Sequence, residues 1–158
     1  MASTDLRAEF LALSATLTGF SVFRLEGTGQ TDAYLDTVTG IVGAATVEAL
    51  VTVHRRVVDA AGDDEARLER GLRRELLSDA ELGPVARNLV KLWYVGTWYE
   101  LPAAWRDTFG PSLRDRTFVV SPEAYTEGLL WPAVGANPAG AKPFGYGMWA
   151  KPPHIETV

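Results

Sequence analysis

Glu123 and Glu127, four residues apart with Tyr125 between them, are the closest this sequence comes to an acid–base pair. That spacing places both carboxylates on one helix face, where a protonated carboxyl beside an ionised one would serve proton transfer. A simpler reading makes Glu123 a first-turn charge, in a helix opened by Ser121 and Pro122, and Glu127 a solvent residue one turn later. The other reactive types are sparse. Cysteine is absent, which removes disulfides, thiolate nucleophiles, thiolate zinc sites and iron–sulfur ligation from these residues. His54 and His154 are the only histidines. His54, beside Arg55 and Arg56, is expected on a helix surface, and His154 at a contact or in solvent. No spacing suits a metal.

Ser14, Ser21, Ser78, Ser112 and Ser121 have no nucleophile-elbow context. Gly27-Thr28-Gly29 is too short for a phosphate loop and lacks its strand and helix. Asp63-Asp64-Glu65 resembles a weak cation site, but a helix start explains it more cheaply. The densest chemistry is aromatic: Trp93, Tyr94, Trp98, Tyr99 and Trp105. Such a cluster packs a core, meets a partner or stacks on a sugar or flavin; core plus interface is the expectation, with the division between them open.

The elements that position these residues read as helices. Leu6, Phe10, Leu13 and Leu17 recur at helical spacing and stop at Gly19. Tyr34, Leu35 and Val38 mark a second, short helix after the turn at 27–29, broken by Gly40 and Gly43. A third helix runs from about Thr46 to Ala61. Asp63 or Asp64 caps a charged helix reaching Leu77. Gly83-Pro84 opens a helix to about Tyr94, Leu101-Pro102 a short one carrying Trp105 and Phe109, and Ser121-Pro122 one that reaches Trp131. Phe118-Val119-Val120 is extended. The expected fold is mostly α, a compact orthogonal helical bundle over residues 1–131, with residues 132–158 as an extended C-terminal arm of the same domain. The longest apolar runs fall far short of the roughly 18 residues that span a bilayer. A net charge of −5 without a basic face argues against nucleic-acid binding.

Proline and glycine make up about a third of the arm, a density that defeats helix and ladder alike. Yet Phe144, Tyr146, Met148, Trp149 and Ile155 are large and apolar. Burying each is worth on the order of 1.5–3 kcal/mol, so the arm is expected to lie on a surface, either its own helices or a partner. Among these, Phe144, Tyr146, Met148 and Trp149 are candidate partner-binding residues.

Several stretches resemble the small (gamma) subunit of membrane-bound, FAD-dependent sorbitol, fructose and glucose dehydrogenases. They are Phe10-Leu-Ala-Leu-Ser-Ala-Thr-Leu-Thr-Gly-Phe20, Ala33-Tyr34-Leu35, Leu92-Trp-Tyr-Val-Gly-Thr-Trp98, Tyr125-Thr-Glu-Gly-Leu-Leu-Trp131 and, most distinctive, Gly135-Ala-Asn-Pro-Ala-Gly-Ala-Lys-Pro-Phe-Gly-Tyr-Gly-Met-Trp-Ala150. The resemblance implies a subunit with no cofactor and no catalysis of its own, which supports the folding, stability and export of a large flavoprotein of the glucose–methanol–choline type. That partner holds FAD and oxidises a sugar, polyol or alcohol, in a heterodimer or higher complex, and the matching stretches add Trp131, Asn137, Pro138, Lys142 and Pro143 to the candidate partner-binding residues. Neither nucleic-acid contact nor direct membrane insertion is expected. Members of that family commonly carry a twin-arginine leader on the small subunit, whereas the early basic residues here are Arg7 and Arg24. The expected location is cytoplasmic if Met1 is the natural start and extracytoplasmic if a leader has been removed. A transient maturation chaperone is the first alternative. A stand-alone enzyme using Glu123, Tyr125 and Glu127 is the second.

Overall fold

Helix α1 (Ser3–Thr18) carries Phe10, Leu11 and Leu13 into the interior, and Gly19 ends it. The computed structural model describes residues 3–110 and 112–141. Next comes α2 (Val22–Gly27), capped by Ser21, whose hydroxyl accepts from the Arg24 N–H. This helix has no counterpart in the periodicity, because only Leu25 of its six residues is buried while Val22 and Phe23 face outward. Helix α3 (Thr31–Val42) continues through Gly40 and ends at Gly43. It meets α4 (Ala44–Ala61) at 116°.

The charged segment is two elements in series. Helix α5 (Glu65–Gly71) is capped by Asp64, whose carboxylate accepts from Arg67 N–H at 2.9 Å. It runs straight into a π-helical stretch, Leu72–Leu77, that buries Leu72 and Leu76. Asp79 then accepts from the Glu81 and Leu82 N–H groups and starts α6 (Leu82–Val95), placing Pro84 inside the first turn. A two-stranded antiparallel sheet pairs β1 (Thr97–Trp98) with β2 (Phe118–Val119), Thr97 opposite Val119 and Trp98 opposite Phe118. Between the strands lies α7 (Ala103–Phe109).

The expected helix from Ser121 to Trp131 is two helices, α8 (Pro122–Thr126) and α9 (Leu130–Ala133). Gly128 explains the break. A Cβ there would lie 2.7 Å from the Tyr94 carbonyl, so the chain passes directly over the end of α6. The Leu129 N–H then donates to Trp93 O at 3.0 Å, giving a helix-terminal carbonyl the partner its own helix cannot supply.

The fold is mostly α-helical. α1 packs on α4 and α6, and α3 packs on both α1 and α4. Phe10, Leu13, Leu50, Leu89, Leu92, Trp93, Trp98 and Leu129 form one continuous core. No single described helix is long and apolar enough to cross a membrane.

Candidate functional site

Of the candidate partner-binding residues, Trp131, Asn137 and Pro138 fall within the described residues; Lys142, Pro143, Phe144, Tyr146, Met148 and Trp149 lie outside them. The structure brings those three together. They line one open concavity of about 350 Å³, together with Phe23 and Arg24 of α2 and Thr28 at that helix's end. The Trp131 indole N–H donates to Tyr125 O at 2.8 Å, and its ring meets Tyr125 edge-on, centroids 5.5 Å apart. Pro138 is buried and Asn137 exposed. Ala136 N–H donates to Trp131 O at 2.9 Å, folding the base of the arm back onto α9.

Large apolar side chains stand free around this feature. Phe23 is 87% exposed, and Val134, between the lining residues Pro132 and Ala136, is 62% exposed. Phe23 could not be singled out from the sequence, because its helix has no apolar stripe to betray it.

The aromatic cluster divides. Trp93, Trp98 and Trp105 are core: Trp93 meets Tyr34 edge-on at 4.8 Å, and Trp105 donates from its indole to Glu81 O at 2.8 Å. Trp98 donates its indole N–H to Asp115 at 2.9 Å. Tyr94 is half-buried, with its hydroxyl donating to Thr18 O, while Tyr99 is exposed beneath the Lys91 ammonium. Buried Asp115 has no sequence-local signal, its partners lying 14 and 17 residues away. Asn88 is equally cryptic; its side chain spans the Tyr99 backbone, accepting from N–H and donating to O.

Glu123 sits in the first turn of α8. Glu127 follows that helix, lines the concavity and adds to the burial that holds the Tyr34 hydroxyl above the usual phenol range. Tyr125 turns to Trp131, which its ring packs against. The serines serve the backbone: Ser14 donates to Phe10 O, Ser78 donates to Arg74 O, and Ser21, Ser112 and Ser121 accept from nearby N–H groups.

His54 corrects the surface expectation. It is 6% exposed, between α4 and α1, with Nε2 2.9 Å from the Thr16 hydroxyl. Arg55 instead turns outward to pair with Glu9. Burial lowers the His54 pKa from its ordinary 6.5. The folded chain therefore binds this proton less readily than the unfolded chain. Its contribution to stability is intact above about pH 6.5 and declines as pH falls, levelling off below the depressed folded pKa. The loss of urea midpoint between pH 7 and pH 5 should be smaller for His54→Gln than for the parent; equal losses would refute the assignment.

Comparisons with protein-family models, curated proteins and solved structures find no match to this chain.

Proposed function

We propose that this chain is a non-catalytic small subunit that stabilises and helps mature a large FAD-dependent dehydrogenase of the glucose–methanol–choline type, acting on a sugar, polyol or alcohol. FAD and the oxidation belong to the partner in this reading, and this chain contributes buried surface. The observation that carries it is the exposed apolar side chain of Phe23 facing the base of the arm across the concavity that holds Trp131 and Pro138. The resemblance of residues 125–131 and 135–150 to small-subunit stretches supports the identity of the partner. Covering an aromatic side chain of this kind contributes on the order of 1.5–3 kcal/mol, and aromatic anchors dominate interfaces of this sort.

The test uses the full chain co-expressed with its flavoprotein. Phe23→Ser is expected to weaken the complex by about tenfold or more, while leaving the thermal midpoint of the free chain nearly unchanged, because Phe23 supports little of its own core. Unaltered affinity would contradict the reading. A persistent equimolar complex favours a subunit, and release after the flavoprotein matures favours a chaperone.

A further inference from the structure

Helix α5 and the π-helical stretch form a second concavity of about 480 Å³ against α4. Its floor is apolar, made by Val57 and Ala61, and it is drawn tight at Gly71, where a Cβ would lie 2.7 Å from Val57 Cγ1. Three guanidinium groups line it: Arg67, Arg70 and Arg74. Residues three and four apart on a helix share a face, so these cations gather on one side, while Glu65 and Glu69 fall on another.

Glu75 is the one carboxylate lining the concavity, and it is already engaged. Arg74 and Arg56 bind it at 2.7 and 3.0 Å, and they hold its pKa below the ordinary carboxylate value, Arg74 foremost. Among the described residues, Arg67 and Arg70 form no ion pair. In a chain of net charge −5, this leaves a local cationic excess in which the Arg67 and Arg70 guanidinium groups have no carboxylate partner among the described residues. The π-helical geometry beside it is uncommon and recurs at functional sites. Guanidinium groups are matched to planar or tetrahedral oxyanions through paired N–H donors.

We propose that this concavity binds a multivalent oxyanion of small-molecule size, gripped by Arg67 and Arg70 with Arg74 shared between the ligand and Glu75. The ligand chemistry is a cluster of phosphate or carboxylate oxygens. Calorimetric titration of the full chain with pyrophosphate and, separately, with citrate, at matched ionic strength, distinguishes the two sources. Binding with a dissociation constant below about 1 mM is expected for at least one of them. The Arg67→Gln/Arg70→Gln double variant should weaken it by about tenfold or more. Arg73→Gln is the control, because Arg73 pairs with Glu69 at 2.6 Å and does not line the concavity; it should bind as the parent does. Far-ultraviolet circular dichroism verifies that the variants fold. Absence of binding by both anions, or equal weakening by Arg73→Gln, overturns the proposal.

Discussion

Gly96→Ala is expected to cost about 2–5 kcal/mol of folding stability, against about 1 kcal/mol for Gly19→Ala. Both glycines end helices with positive φ, +66° at Gly96 and +77° at Gly19, so both substitutions incur the left-handed penalty. They differ in surroundings. A Cβ at Gly19 meets nothing within 4 Å, whereas one at Gly96 would press on the Ala124 carbonyl and lie 2.9 Å from Tyr125 N. Those contacts are backbone and cannot rotate away. Gly96 also accepts the Val120 N–H through its own carbonyl at 3.0 Å. The residue thus sits where the end of α6, helix α8 and the small sheet come together. Urea unfolding followed by tryptophan fluorescence measures both variants, and equal losses would show that the close approach to α8 carries no weight.

Asp115→Ala should be the second large effect, about 2–5 kcal/mol. The Asp115 carboxylate is 3% exposed and takes two buried donors, the Trp98 indole N–H at 2.9 Å and the Leu101 backbone N–H at 3.2 Å. Alanine leaves both without an acceptor, and an unmet buried donor costs about 1–3 kcal/mol. Asp115→Asn retains one oxygen that both donors can share, so its loss should be clearly smaller than that of alanine. The same urea experiment orders the series. An alanine variant no weaker than the asparagine variant would remove Asp115 from its role as the tie between Trp98, Leu101 and the loop before β2.

Much of the architecture follows from local rules. The caps at Asp64 and Ser121, the glycine stops at 19, 43 and 62, and the apolar stripes of α1, α4 and α6 are visible because each depends on residues within one or two turns. What escaped depends on partners far along the chain. Phe23 and Val22 hide α2 by facing solvent, and Gly128 splits the last helix because α6 passes beneath it. Asp115 and Asn88 earn their burial from donors and acceptors 11 to 17 residues away. His54 was legible in principle: it lies three residues after Val51 and four after Leu50, on the buried stripe of α4, and the adjacent arginines point elsewhere. At the candidate site, Trp131, Asn137 and Pro138 came from the stretches that resemble the small subunit, while α2, which lines the same concavity, had no such signal.

In the proposed role, this chain works by covering a flavoprotein. The most direct test is the mass and flavin content of what co-elutes with the tagged full chain from its native cells, by size-exclusion chromatography with light scattering and flavin absorbance. The expected result is an equimolar complex with one larger, FAD-containing chain, which dissociates more readily with Phe23→Ser. A monomer eluting alone and free of flavin, unchanged by Phe23→Ser, would contradict it.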